Sequence, residues 1–106
     1  MNIQQMMKQA QQMQVKMQEM QEKLGEMEVD GASGGGMVNV TMTCKGEVRK
    51  ITISPEVITP DERETLEDLV MAAVNMARQK ADETLAEETR LMMAEFGMPG
   101  DVKLPF

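Results

Sequence analysis

A set of basic side chains is the best candidate for chemistry in this sequence, because ammonium and guanidinium groups bind phosphates. Lys8, Lys16 and Lys23 recur at intervals of eight and seven residues near the start of the chain. On a helix this spacing places them loosely on one side. A solubilising helix face has the same pattern, so both interpretations stay open. The predicted phosphate-binding residues are Lys8, Lys16, Lys23, Arg49, Lys50, Arg63 and Arg78.

Catalytic chemistry has little support in the sequence. There is no histidine and Cys44 is the only cysteine, so neither a nucleophile–base pair nor a common zinc site can be assembled. Acidic pairs such as Glu67-Asp68 could bind a hard cation, but such pairs are far more often the solvated face of a helix. We therefore expect no enzyme activity, no metal, no cofactor and no small-molecule substrate.

The composition of the chain indicates its cellular compartment more clearly than its binding partner. A lone cysteine excludes an intrachain disulfide and is typical of reducing, cytosolic proteins. The N-terminus lacks a basic and an apolar region, so we expect neither a signal peptide nor a membrane span. The net charge of −7 argues against a nucleic-acid partner. However, most of the acidic residues lie between residues 60 and 96, so net charge alone does not decide the partner.

The element that must position the lysine row is an N-terminal helix. Apolar residues alternate at spacings of three and four between Ile3 and Met27, a 3.5-residue repeat that is typical of a helix packing on another helix. Gly25 is a favourable residue to end this helix, so we predict a helix over residues 1–25. The narrow apolar seam indicates contact with a second copy of the chain. The predicted interface residues are Met6, Ala10, Met13, Met17 and Met20, with Ala73 and Ala77 of a second helix.

Three segments of alternating apolar and polar residues predict an antiparallel meander over residues 26–54. The glycines at 34–36 predict a turn, since no Gly-Lys-Ser/Thr follows that would indicate a phosphate loop. A two-residue turn at Lys45-Gly46 would place Met42 opposite Arg49. The same register predicts two further pairs, Val40 with Ile51 and Val38 with Ile53. One set of side chains of the middle strand should face the core, namely Val38, Val40, Met42 and Cys44.

A second helix is predicted over residues 59–96. Thr59 is a favourable N-cap, Pro60 suits the first helical position, and Thr59 with Glu62 would form a capping box. Gly97 should end the helix. At roughly 1.5 Å per residue the helix would be about 54 Å long, whereas a compact domain of this size has a radius of gyration of about 13 Å. We therefore expect its far half to stand in solvent or to contact a second subunit.

Four separated stretches carry a resemblance to a known family. They are residues 7–14 (MKQAQQMQ), 31–38 (GASGGGMV), 66–75 (LEDLVMAAVN) and 103–106 (KLPF). In this order they span essentially the whole chain, which resembles the YbaB/EbfC family of nucleoid-associated DNA-binding proteins. The resemblance implies a single α+β domain over residues 1–106, with a helix, a three-stranded antiparallel meander, a long helix and an irregular tail at 97–106. It also implies a tweezer-like homodimer that binds double-stranded DNA in the bacterial cytoplasm and affects nucleoid organisation and gene expression.

Two classes of function therefore remain to be compared. The first is a DNA-binding homodimer that contacts mainly phosphates and alters DNA conformation. The alternative is a protein-binding adaptor or chaperone-like module, because 14 methionines against two aromatic residues give soft, adaptable apolar surfaces. Methionines that stay exposed in the dimer would favour the adaptor. The lack of exposed aromatic residues argues against a single-strand binder.

Overall fold

The computed structural model describes residues 2–97 and contains two helices and three strands in the order αβββα. Helix α1 covers Ile3–Glu26, strands β1, β2 and β3 cover Glu28–Ser33, Val38–Thr43 and Val48–Ile53, and helix α2 covers Arg63–Glu95. Short 3-10 turns lie at Gly34–Gly36, Pro55–Val57 and Pro60–Glu62. The predicted α+β order of helix, antiparallel meander and long helix is confirmed. Residues 98–106 of the predicted irregular tail lie outside the described residues.

Helix α1 ends one residue later than predicted. Gly25 lies inside the helix, which ends at Glu26, and the N–H of Met27 donates to the carbonyl of Lys23 at 2.9 Å. Leu24 is buried on this last turn. The helix continues past the glycine, and the predicted helix end at Gly25 was wrong.

Helix α2 also starts later than predicted. Pro60–Glu62 forms a 3-10 turn, and the α-helix begins at Arg63. In a capping box the N–H of Glu62 would donate to the hydroxyl of Thr59. Here it donates instead to the carbonyl of Thr59 at 3.0 Å. The tight turn therefore replaces the predicted capping box.

The sheet is antiparallel with strand order β1-β2-β3. Residues 44–47 lie between β2 and β3, and the N–H of Thr43 donates to the carbonyl of Glu47 at 2.8 Å. Inside this hydrogen bond the loop has three residues instead of the predicted two. A β-bulge at Arg49 absorbs the extra residue. Met42 therefore pairs with Val48, and its predicted pairing with Arg49 was wrong. Beyond the bulge the predicted register is confirmed, with Val40 opposite Ile51 and Val38 opposite Ile53.

Helix α2 lies across β1 and β2. Val38, Val40 and Met42 of β2 are buried as predicted, and they pack against an alanine stripe on α2 formed by Ala73, Ala77 and Ala81. Helix and sheet approach most closely at Gly31. A Cβ atom at this glycine would collide with the carbonyl oxygen of Ala73 and lie 2.6 Å from the nitrogen of Ala77. Glycine and alanine are thus required here because the two backbones nearly touch.

A second buried cluster joins α1 to the far half of α2. Met20 and Leu24 of α1 pack with Met92 and Met93 of α2, and Cys44 contributes from the β2–β3 loop. The four-residue spacing of Met20 and Leu24 places them on one helix face. The far half of α2 is therefore covered by α1 of the same chain, which corrects the prediction that it would need solvent or a second subunit.

The N-terminal half of α1 extends away from this core. Residues 3–12 are all exposed, and we call residues 3–16 the projecting arm. The molecule measures 69 × 22 × 17 Å, and its radius of gyration is 19.2 Å, against about 13 Å for a compact domain of this length. The long helix α2 and the arm together make the molecule elongated.

Candidate nucleic-acid interface

An open groove of about 760 Å³ lies between the projecting arm and the C-terminal end of α2. We call it the α1–α2 groove. Side chains at spacings of three and four form its α1 wall, so they share one helix face. The lining residues are Lys8, Gln11, Gln12, Val15 and Lys16 from α1, with Glu95 and Phe96 at the end of α2. The structure thus brings the predicted Lys8 and Lys16 onto one wall.

Three further cations meet at the root of α1, where the helix leads into β1. The Nη2 atom of Arg49 donates to the carbonyl of Gly25 at 3.3 Å. A Cβ atom at Gly25 would lie 3.3 Å from Cδ of Lys45, and one at Gly46 would lie 3.3 Å from Nη1 of Arg78. The side chains of Lys45, Arg49 and Arg78 therefore converge around these glycines, and we call them the root cluster. Lys45 was not in the predicted set.

Most of the predicted cations are already ion-paired. The pairs are Lys16 with Glu19 (3.8 Å), Lys23 with Glu88 (3.0 Å), Arg49 with Glu47 (3.1 Å), Arg63 with Glu67 (3.9 Å) and Arg78 with Asp82 (3.2 Å). Within residues 2–97, Lys8 and Lys50 make no such pair. Pairs between exposed side chains contribute at most about 1 kcal/mol. A phosphate can therefore displace most of these carboxylates at low cost.

Lys23 is the exception among them. Its Nζ atom lies 3.1 and 3.0 Å from the two carboxylate oxygens of Glu88, and the Glu88 side chain is only 18% exposed. The pair links α1 to α2 beside the buried Met20 and Met92. Lys23 therefore braces the two helices, and removing it would disturb the packing of the arm as well as any phosphate contact.

Lys50 and Arg63 lie apart from both groups. Lys50 pairs with Thr41 across β2 and β3, on the sheet face that points away from α2. Arg63 opens α2 and lies about 22 Å along the helix axis from Arg78. The structure thus separates the predicted set into four parts. They are the groove lysines Lys8 and Lys16, the bracing Lys23, Arg49 and Arg78 of the root cluster, and these two isolated cations.

Arg90 was missed by the sequence analysis, although it makes a two-point hydrogen bond with one carboxylate. Its Nε and Nη2 atoms donate to the two carboxylate oxygens of Glu87 at 3.1 and 2.6 Å. This hydrogen bond, with the attraction between the charges, lowers the pKa of Glu87 and raises the pKa of Arg90. The i,i+3 spacing of Glu87 and Arg90 was the signal in the sequence.

The predicted interface residues fall into three environments. Ala73, Ala77 and Met20 are buried inside the chain, which gives them no free surface for a second copy; we therefore assign them to the core. Met17 is half-buried against the cluster that joins the helices. The remaining residues lie on the projecting arm, where Met6 and Ala10 are exposed and Met13 is half-buried.

Sequence reasoning also missed an apolar surface around β3. Ile51 lies opposite the buried Val40, on the sheet face toward α2, yet it is 46% exposed, and Val48 is 42% exposed. The reason is that α2 covers β1 and β2 but stops short of the edge strand β3. Ile58 and Met71 are exposed as well. The position of β3 as the last strand of a meander was the available signal.

Residues 2–97 contain neither a membrane-spanning helix nor a cluster of metal-ligating side chains. No helix there is long and apolar enough to cross a bilayer. In the same residues no three or more Cys, Asp and Glu side chains are grouped closely enough to hold a metal ion.

Comparisons with known proteins agree with one another. A model of the YbaB/EbfC DNA-binding family matches residues 1–96. The chain is 53% identical over 94 residues to a nucleoid-associated protein of Nitrobacter winogradskyi, covering 89% of each chain. It is 50% identical over 105 residues to the nucleoid-associated protein RC1_2305 of Rhodospirillum centenum, covering 99% of this chain and 98% of the relative.

The fold is similar to a crystal structure of the uncharacterized protein HP0035 from Helicobacter pylori. The TM-score is 0.78 at 22% sequence identity, and the match covers 88% of this chain and 98% of that chain. At this identity the likeness shows the fold alone.

Proposed function

This chain belongs to the YbaB/EbfC DNA-binding family, and from that premise we propose that it binds double-stranded DNA as a homodimer, mainly through phosphate contacts. The observation that carries the proposal is the exposed pair Lys8 and Lys16 on one wall of the α1–α2 groove. The names of its relatives support a nucleoid-associated role, and we place this role in the bacterial cytoplasm as part of the proposal. In this proposal the bound protein changes the conformation of the DNA and thereby affects nucleoid organisation and gene expression. It has no catalytic activity.

The distribution of charge supports a restricted DNA surface. Acidic residues are concentrated in α2, whereas the arm carries Lys8 and Lys16 and no acidic residue before Glu19. A polyanion is therefore attracted to the arm and the root cluster and repelled by most of α2. Each phosphate neutralised by a lysine or arginine releases counterions, so affinity must fall as salt rises.

The homodimer would form at the β3 edge. An edge strand presents unpaired N–H and C=O groups to solvent, and here Val48 and Ile51 add apolar side chains that α2 leaves uncovered. Full burial of one such side chain contributes about 1.5–3 kcal/mol. A second copy at this edge would cover both side chains and extend the sheet. The exposed part of the arm seam, Met6, Ala10 and Met13, is a second contact region in the proposal.

Such a dimer would hold two arms at a fixed separation. Each arm would present its lysines to the backbone of the duplex, and the two arms together would grip or bend it. Since phosphates carry no direct sequence information, this mode of binding predicts weak sequence preference.

The test is fluorescence anisotropy with a labelled duplex over a salt series. We expect a slope of about −0.9 per phosphate contact in the plot of log affinity against log salt. The double variant Lys8→Gln/Lys16→Gln should weaken binding and make the slope shallower by about 1.8 per chain. Size-exclusion chromatography with light scattering must show the same oligomeric state for the variant.

The variant Lys80→Glu is a matched control, because it changes the net charge by the same amount on the acidic helix α2. We expect this control to bind nearly as the parent does. Equal loss in both variants would mean that only net charge matters. Unchanged affinity of the double variant would remove the arm from the DNA surface.

A second candidate function is the protein-binding adaptor. It is favoured by the exposure of Met6, Met7 and Met71, which are 51%, 59% and 58% exposed. A folded dimer that binds no duplex at low salt would favour this function over DNA binding.

A further inference from the structure

A small pocket lies beside the root cluster, where the end of α1, the β2–β3 loop and the middle of α2 meet. Its volume is about 160 Å³, and we call it the root pocket. Each of the three elements supplies one side chain with hydrogen-bond donors and one apolar side chain. The lining residues are Gln21 and Leu24 of α1, Cys44 and Lys45 of the loop, and Arg78, Asp82 and Leu85 of α2.

The floor of the root pocket is apolar. Leu24 and Cys44 are only 1% and 5% exposed, and Leu85 packs on the same buried cluster. An ion beside such a floor loses part of its hydration, and it interacts more strongly with opposite charges than it would in bulk water. The pocket therefore favours an ion that pairs with the donors at its rim.

Asp82 orients the side chain of Arg78 without using all of its donors. The Nε atom of Arg78 donates to Oδ1 of Asp82 at 3.2 Å, and among the described residues no acceptor pairs with its Nη atoms. A Cβ atom at Gly46 would lie 3.3 Å from Nη1 of Arg78, but Gly46 has φ +95°, a conformation that favours glycine. No side chain of residue 46 therefore covers this edge of the guanidinium, which remains a planar fork for oxygen acceptors.

Lys45 and Arg49 offset the negative end of α1. The last carbonyls of a helix carry partial negative charge and would repel an anion. The Nη2 atom of Arg49 donates to the carbonyl of Gly25 at 3.3 Å, and the Lys45 side chain lies beside the same glycine. Among the lining residues that the structure describes, the cations Lys45 and Arg78 also outnumber the acid Asp82. The root pocket is thus suited to an anion.

We propose that the root pocket binds one phosphate group. The Nη atoms of Arg78 and the ammonium of Lys45 hold its oxygens, and the Gln21 amide donates a further hydrogen bond. A phosphate fits better than a carboxylate, because it offers more acceptor oxygens to donors that converge from three elements. Asp82 acts as a positioning residue, since it touches Arg78 and not the phosphate.

The source of the phosphate is the backbone of the duplex, and this step rests on the proposed function. Gln21 in the root pocket lies about 140° around the axis of α1 from Lys8 and from Lys16. The root pocket is therefore a phosphate contact separate from those of the arm. A phosphate-bearing small molecule is the other source of the same chemistry, and the experiments distinguish the two.

The site can be tested without DNA by NMR. The isotope-labelled full chain is titrated with sodium phosphate at constant pH, and sodium chloride keeps the ionic strength constant. We expect saturating shifts at the amide of Gly46 and at Nε of Arg78, and no comparable shift at Nε of Arg63. Shifts that never saturate, or that are equal at Arg63 and Arg78, would overturn the proposal.

Substitutions show whether the geometry of the pocket matters. Arg78→Gln should weaken phosphate binding about tenfold, because it removes charged hydrogen bonds, and Lys45→Gln should weaken it as well. Arg63→Gln is the matched control, because Arg63 also lies on α2 and pairs with an acid four residues later, Glu67. Arg78→Lys keeps the charge but lacks the fork, so we expect a smaller loss. Unchanged affinity of Arg78→Gln, or an equal loss for Arg63→Gln, would overturn the proposal.

Anisotropy with the labelled duplex identifies the source of the phosphate. If a backbone phosphate fills the pocket, Arg78→Gln should make the salt slope shallower by about 0.9 per chain, whereas Arg63→Gln should not. Loss of phosphate binding with unchanged DNA affinity would support the site and assign it to a phosphate-bearing small molecule. Phosphate binding by a folded chain that binds no duplex would support the site and refute the proposed function. Failure of the site and failure of the proposed function therefore give different results.

Discussion

The two halves of α1 carry the same apolar repeat but lie in opposite environments. In the C-terminal half, Leu24 is 1% exposed and packs on α2, whereas Ile3 in the projecting arm is 71% exposed. Both residues occupy the same row of the heptad. The repeat therefore indicates that a helix face is suited to packing, and the length and path of α2 decide which part of that face is covered within the chain.

The largest expected effect comes from removing the side chain of Leu24. Leu24→Ala would leave a cavity in the cluster with Met92 and Met93 and should lower the free energy of unfolding by about 2–5 kcal/mol. Ile3→Ala on the arm should change it by less than about 0.5 kcal/mol. Urea denaturation of both variants at one protein concentration is the measurement.

Similar losses for the two variants would contradict this difference between the halves. Such a result would mean that the arm is covered in solution, by a second copy or by another segment. A loss for Ile3→Ala that shrinks as the protein is diluted would point to the second copy, because the stabilisation that subunit association gives falls with protein concentration.

Much of the fold was predictable because several independent signals agreed. Local sequence alone shows the alternation in β2 and the turn at the glycines 34–36. The pairing of Val40 with Ile51 follows once the register of β2 and β3 is chosen. The bulge at Arg49 was not predictable, because it compensates for a three-residue loop where the sequence favoured two residues. The contact of Leu24 with Met93 joins residues far apart in sequence, and periodicity carries no information on such partners.

Replacing either of two glycines by alanine should change the free energy of unfolding, but in opposite directions. Gly31→Ala should destabilise by about 1–3 kcal/mol, because its Cβ would collide with the backbone of α2 and the core is already filled. Gly25→Ala should stabilise by up to about 1 kcal/mol, because Gly25 lies in a helix and alanine has the higher helix propensity. Its Cβ would meet only Cδ of Lys45, at 3.3 Å on a flexible side chain.

Thermal or urea unfolding of both glycine variants tests this pair. A neutral Gly31→Ala would show that α2 can move away from β1 without loss. A destabilising Gly25→Ala would show that the Lys45 side chain cannot yield, and hence that the root cluster is more rigid than its exposure indicates.

The candidate site was less predictable than the fold. Lys8 and Lys16 could be found because they are close in sequence and share a helix face. The convergence of Arg49 and Arg78 depends on the bulge and on the packing of α2, so no local pattern shows it. Lys23 braces the two helices through its ion pair with Glu88, which lies 65 residues away in sequence. No local pattern predicts a pair over this separation.

The smallest expected effect concerns the pair of Glu87 and Arg90 on the exposed face of α2, in contrast to the brace of Lys23 and Glu88. The hydrogen bond from Arg90 lowers the pKa of Glu87 in the folded chain. A depressed carboxyl pKa stabilises the fold at pH above the ordinary value, and this contribution is lost as pH falls through the lowered value. An NMR titration should therefore place the Glu87 midpoint below that of an ordinary glutamate, and Arg90→Gln should return it toward that value. An unchanged midpoint in the variant would mean that the pair does not persist in solution, and Arg90 would then be free to contact a phosphate.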